Sequence, residues 1–233
     1  MIVIVVIVLL SLTLHPGASS SKSAAVVYGE PISAPQATGP AEAAQATQKG
    51  GPWTPSALEG WGAPVSQSGT SGSVTNCTTV WSNSSTVVVD ATPADASPGE
   101  LGFWVLYSLN AGGDLLLTDV FEANGTVHAS NGLEVTGSCT STYSTALGLP
   151  ADLANSTTVA ATANAAGGAT FLTDHPGAWQ LFTAIGDLWT VLYTSCSLYA
   201  PSGTGAIFTG FFNGTTGAST LTPVTETVPC SSA

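Results

Sequence analysis

Charge is what this sequence most lacks. Only 7% of its 233 residues are Asp, Glu, Lys or Arg, against about 25% in an average globular domain. Lys22 and Lys49 are the whole basic complement, and fourteen acids bring the formal net charge to -12. Nucleic-acid binding is thereby excluded, because neutralising phosphates requires clustered Lys or Arg. Recruitment to anionic lipid head groups fails on the same ground. Low charge with residual acidity suits an acidic medium, in which carboxyl groups are neutral and mutual repulsion disappears.

Catalytic and metal-binding signatures are also missing. The chain has no G-x-S-x-G elbow, H-E-x-x-H helix or phosphate-binding glycine loop. It has no EF-hand or D-x-D cluster, and its cysteines lack the close pairs of a zinc finger. Asp174-His175-Pro176 reads as a turn rather than an oriented imidazole, and His128 as an exposed strand residue. Asp114, Asp119, Glu122 and Glu134 are the candidates for a hydrolytic carboxylate pair. Asp119 and Glu122 stand an odd number of residues apart on one expected strand, so they face opposite sides. These four acids are expected to be solvated. No enzyme, cofactor or metal is expected.

Long apolar runs occur once. Met1 to Leu14 (MIVIVVIVLLSLTL) would span about 21 Å as a helix, short of the ~30 Å core of a bilayer. It reads as the apolar region of a signal peptide covering residues 1–23, broken by Pro16 and Gly17, although no basic residue precedes it. A retained N-terminal anchor, as in a pilin-like filament subunit, is the alternative. Residues 24–73 are rich in Ala, Gly, Pro, Ser and Thr and read as a disordered linker or stalk. Trp53 and Trp61 stand out within it, expected to dock back on the domain or to contact a partner.

Four cysteines are present: Cys77, Cys139, Cys196 and Cys230. An even number at wide spacing in an exported chain implies two disulfides. Pairing Cys77 with Cys139 and Cys196 with Cys230 keeps each bridge within one half of the chain. Five Asn-x-Ser/Thr sequons, at Asn76, Asn83, Asn124, Asn155 and Asn213, offer glycan attachment that would help to solubilise a surface poor in charge.

From Val74 onward, short runs of Val, Thr, Phe, Tyr and Trp alternate with Gly and Asn turns, the pattern of strands and hairpins. Strands are expected at 75–81, 85–90, 101–109, 114–123, 126–130, 133–138, 157–163, 169–173, 178–185, 188–199, 205–212 and 218–228, with one helical turn at 149–154. Asn-Gly pairs at Asn124, Asn131 and Asn213 suit tight hairpin turns, as does Gly186-Asp187. The fold class is all-β, an antiparallel β-sandwich or two small packed β modules (74–140 and 150–233). The halves share a loose order: Thr78-Thr79-Val80 with Thr157-Thr158-Val159, Trp104 to Tyr107 with Trp189 to Tyr193, Phe121 to Thr126 with Phe211 to Thr215. An immunoglobulin assignment fails, because Gly137 stands where the corner tyrosine belongs and Trp104 falls late.

Trp104, Tyr107, Trp179, Trp189, Tyr193 and Tyr199 could line a sugar-binding face, but their alternation with other apolar residues fits a core. The sequence therefore points to an exported, disulfide-bonded glycoprotein of the cell surface or extracellular space, with a structural or interaction role. Its partners would be surface proteins, itself or glycans. A carbohydrate-binding module and a small secreted hydrolase are the remaining alternatives.

Overall fold

The computed structural model describes residues 26–27, 30–62, 67–75, 78–89, 96–135, 148–196 and 203–230. The expected signal segment and the Cys77–Cys139 pair fall outside these residues. The chain is mostly β. Its strands are β1 (Val26–Val27), β2 (Thr54–Gly62), β3 (Gln67–Thr75), β4 (Thr78–Val89), β5 (Phe103–Leu109), β6 (Leu115–Ala123), β7 (Thr126–Val135), β8 (Trp179–Ile185), β9 (Leu188–Thr194), β10 (Thr204–Asn213) and β11 (Ser219–Pro229). Helices α1 (Ala34–Ala46), α2 (Ser156–Ala163) and α3 (Ala169–Asp174) complete it, with a π-helical kink at Asn164–Gly168 joining the last two.

Eight strands form one open antiparallel sheet in the order β11-β10-β9-β8-β2-β5-β6-β7. A second sheet has the order β1-β4-β3, and its strand β3 comes alongside β7. Both faces of the large sheet are apolar. One holds Ala57, Trp61, Phe103, Val105, Tyr107, Leu117, Trp179, Leu181 and Leu192. The other holds Leu58, Trp104, Leu106, Phe182, Trp189, Val191, Tyr193 and Phe208, beneath Ala37 and Ala41 of α1, Val159 and Ala160 of α2, and Phe171 of α3. Burial on both sides explains why β5, FWVLYSL, is apolar almost throughout instead of alternating.

Three expectations are corrected. Residues 24–73 are not simply a linker: they supply α1 and β2, and β2 is an inner strand of the large sheet. Alanine concealed the helix. Ala34, Ala37, Ala41 and Gln45 recur at helical spacing and are buried, but alanine carries little hydrophobic signal. The amide oxygen of Gln36 accepts from the backbone N–H (2.8 Å) and the hydroxyl (2.7 Å) of Ser33, fixing the helix start. Residues 157–163 and 169–173 are helical rather than extended. Buried Ser156, Val159, Ala160 and Ala163 follow the helical period, and Asn155 caps the helix by accepting from Thr157 N at 3.1 Å. That local geometry overrides the strand preference of Thr and Val. The span 149–154 forms only a turn at 151–152.

The large sheet has a repeated order of elements, but its first unit begins at α1 rather than at residue 74. A helix precedes a four-stranded run in each half: α1 before β2-β5-β6-β7, and α2–α3 before β8-β9-β10-β11. The two runs meet antiparallel at β2 and β8, as a two-fold axis through the seam requires. Trp104, second on β5, and Trp189, second on β9, touch edge to face. Trp104 donates its indole N–H to Ile32 O at 2.8 Å, two residues before α1; Trp189 donates to Ala154 O at 3.1 Å, two residues before α2. The first residues of α1 and α2 also meet, Ala34 N donating to Ser156 Oγ at 2.9 Å. The Asn-Gly turns at Asn124 and Asn213 close corresponding hairpins. The Thr-Thr-Val pair does not correspond, since Thr78 lies in β4 and Thr157 in α2. β3 and β4 are an insertion in the first half, where the second has the two-residue turn Gly186-Asp187.

Candidate functional site

The most unusual side chain is Glu59, which the sequence reading passed over because it lay in the presumed linker. It is the third of the six β2 residues paired with β8 and stands directly opposite Thr183 on the face away from the helices. Along β2 its same-face neighbours are Ala57 and Trp61, and across β5 it faces Val105. Glu59 is 2% exposed. Its Oε1 accepts from Trp61 Nε1 at 2.8 Å, and its Oε2 accepts from Tyr107 OH at 3.1 Å. Two donors are the favourable part of its surroundings. Burial among aromatic and aliphatic groups is the stronger influence and pushes the carboxyl up to about 7, against which the two hydrogen bonds act.

A second acid lies in the same transverse row. Register runs from Glu59 to Val105 on β5 and on to Asp119 on β6. Asp119 therefore shares the face of Glu59 two strands away, a backbone separation of about 10 Å at the usual strand spacing. Asp119 is half-buried, and desolvation raises its carboxyl to about 6. Thr183 and Thr190 continue the row on the other side of Glu59. The row thus offers two proton-holding carboxyls and two hydroxyls within an otherwise apolar face.

The expected solvated acids need partial correction. Glu122 does face away from Asp119, as the odd spacing requires, but it is buried and accepts from the backbone N–H groups of Glu30 and Gly125. It ties the segment before α1 to the β6–β7 turn. Asp114 accepts from Asn110 Nδ2 at 2.9 Å within the β5–β6 turn. The side chain of Glu134 lies outside the described residues. Asp174 ends α3, and the ring of His175 lies against Phe171 with centroids 4.6 Å apart. Ala178 N donates to His175 O at 2.9 Å, the turn that the sequence implies. His128 is exposed and stacks on Phe121.

Trp104, Tyr107, Trp179, Trp189 and Tyr193 are each buried in the core, so none of these rings is open to a sugar; Tyr199 lies outside the described residues. Burial pushes the Tyr193 phenol up, and its hydroxyl donates to Asn164 Oδ1 at 3.1 Å, anchoring the kink between α2 and α3 to β9. Trp61 is core and Trp53 half-buried, both within the body of the fold.

Cys196 and Cys230 are bonded, with Cα atoms 5.3 Å apart. The bridge joins the end of β9 to the end of β11, over Gly205 of β10. A Cβ at Gly205 would come within 2.7 Å of Cys196 Sγ, so glycine is required there. Of the sequons, Asn124 is exposed at the β6–β7 turn with φ 55°, suited to a tight Asn-Gly turn. Asn155 is the α2 cap, and Asn213 is engaged by Thr215, Thr216 and Asp187. Asn76 and the side chain of Asn83 lie outside the described residues. Among the described residues, no cluster of three or more His, Cys, Asp or Glu could hold a metal, and no helix is long and apolar enough to cross a membrane.

The fold and this buried acid define a mostly β protein with an internally repeated helix-plus-four-strand unit and a carboxyl at the repeat seam. Comparison with protein-family models, curated proteins and solved structures finds no match.

Proposed function

We propose that this chain is an exported glycoprotein of the cell surface or extracellular space with a structural or interaction role, built for acidic surroundings. The observation that carries the reading is the pairing of one covalent staple with a sheet face on which burial favours the neutral form of Glu59 and Asp119. The Cys196–Cys230 bridge supports an oxidising compartment. The described body holds a single Lys or Arg, Lys49, which is exposed, so Glu59 and Asp119 are best accommodated protonated.

In this reading residues 1–23 direct export, Cys77 and Cys139 form the second bridge, and the three-stranded sheet covers the face that carries Glu59, completing a sandwich. Glycans at exposed sequons, Asn124 foremost, add solubility that charge does not provide. Contacts with neighbouring surface proteins or further copies of the chain run through sheet edges. The free edge β11 is exposed along most of its length and carries the two exposed large hydrophobic side chains of the described residues, Leu221 and Val224. β2 is paired on both sides within its own sheet and is not available for addition to a neighbour's.

Intact-mass measurement of the protein recovered from its native source tests the reading. The expected result is a chain lacking its first residues, with two disulfides and added glycan mass. A full-length chain with four free thiols would reject it.

A further inference from the structure

The strands of the two four-stranded halves of the large sheet pair only at β2 and β8, and the chain completes the first half before it enters β8. On the helix side Trp104 meets Trp189 and Ala34 N donates to Ser156 Oγ across the same seam. On the face away from the helices the seam consists of three facing pairs: Ala57 with Ile185, Glu59 with Thr183, and Trp61 with Leu181. The middle pair is the only one with an ionisable member. Under the two-fold relation, Gly60 and Ala184 correspond, because each pairs with the tryptophan of its own half. It follows that Gly60–Phe182 and Leu58–Ala184 exchange with one another, and Glu59–Thr183 maps onto itself. Glu59 and Thr183 thus straddle the axis, with the carboxyl beside it.

Among the described residues, an ionised Glu59 finds no cation. On β2 there is no other titratable group, and on β8 and β9 the face carries threonine and apolar residues only. β5 contributes Tyr107, which donates to the carboxyl. β6 contributes Asp119, an acid, and beyond it β7 carries the exposed His128 against Phe121. β11 carries Glu226 at the far edge. The segments Gln67–Thr75 and Thr78–Val89 contain no Asp, Glu, His, Lys, Arg or Tyr. Lys49 follows α1 and is exposed, and Lys22 is the only other Lys or Arg in the chain.

We propose that Glu59 makes the β2–β8 seam a pH-sensitive joint, closed while its carboxyl is neutral and opened between the two halves when it ionises. A neutral carboxyl keeps both hydrogen bonds and sits among apolar groups at little cost. A carboxylate without a counter-ion in that position regains hydration only by admitting water, and the β2–β8 seam is where Glu59 lies and where opening leaves the hairpins β5–β6, β6–β7, β8–β9 and β10–β11 intact. The joint thus reports a change from acidic to neutral surroundings as a separation of two otherwise intact units. The proposal is independent of the export reading.

Hydrogen exchange of the full-length protein at about pH 5 and about pH 8, corrected for intrinsic rates, tests it. Amides of β2 and β8 are expected to lose protection by roughly a hundredfold at the higher pH, while β6 and β10 hold theirs. Glu59→Gln, which retains an acceptor but cannot ionise, is expected to keep the seam protected at both values. The same loss in Glu59→Gln as in the parent would overturn the proposal. Should the variant not fold, the parent alone decides: uniform loss across all strands, or no loss in β2 and β8, rejects it.

Discussion

Trp104 and Trp189 meet edge to face with ring centroids 6.4 Å apart and planes at 77°, and each indole N–H reaches the carbonyl two residues before a helix. One contact thereby joins both strands' cores and both helix entries across the seam. Replacing either by Phe removes a buried donor and leaves Ile32 O or Ala154 O without that partner. A loss of about 1–3 kcal/mol is expected for each, with lost ring area adding to it. A double-mutant cycle in urea should show coupling between the two, because the rings touch.

Gly60 lies beneath Trp104. A Cβ there would come within 2.6 Å of the indole and 2.7 Å of Leu101 Cδ1. Gly60→Ala is expected to cost about 1–3 kcal/mol through overpacking. Gly39, inside α1, precedes Pro40, whose ring crowds a Cβ on helical backbone and offsets the propensity gain, so Gly39→Ala is expected to change stability by less than about 0.5 kcal/mol. The denaturant midpoint should fall in Gly60→Ala and hold in Gly39→Ala.

Stability should fall as pH rises. Glu59 has its folded carboxyl raised to about 7 from 4.5, and Asp119 to about 6 from 3.8. Between these values the folded chain holds protons that the unfolded chain has released, so the slope of unfolding free energy with pH is negative. For Glu59 the loss accumulates from about pH 4.5 to about pH 7 and amounts to about 3 kcal/mol. Asp119 is less completely buried than Glu59 and contributes less. Urea midpoints across this range should decline in the parent and decline less in Glu59→Gln; a midpoint rising with pH would contradict the burial of these groups.

Removing the Cys196–Cys230 bridge by paired substitution to Ser frees the ends of β9 and β11. The two positions are 34 residues apart, and closing a loop of that size stabilises by about 3–4 kcal/mol on chain-entropy grounds. Thermal melts of the double variant should show that loss. Exchange should report the edge strand β11 as the first element to fray.

Strands β5 to β11 were largely legible because each is a short β-branched or aromatic run bounded by Gly or Asn turns. The Cys196–Cys230 pairing was legible from spacing. Glu59 was not. A lone acid in a stretch rich in Ala, Pro and Gly gives no local signal, and its importance arises from Thr183 and Tyr107, 124 and 48 residues away in sequence. The same holds for α1, whose small buried face becomes apolar packing only against β5, β6 and β7.

Composition by itself determined that the protein is acidic, poor in charge and built mainly of strands, because those properties follow from residue types and short-range patterns. Tertiary structure alone decided that the presumed linker supplies an inner strand, that two spans rich in Thr and Ala coil into helices, and that one carboxyl is enclosed where the repeats join. The reason is physical: burial, register and desolvation depend on which distant segments meet, and no local run of residues carries that information.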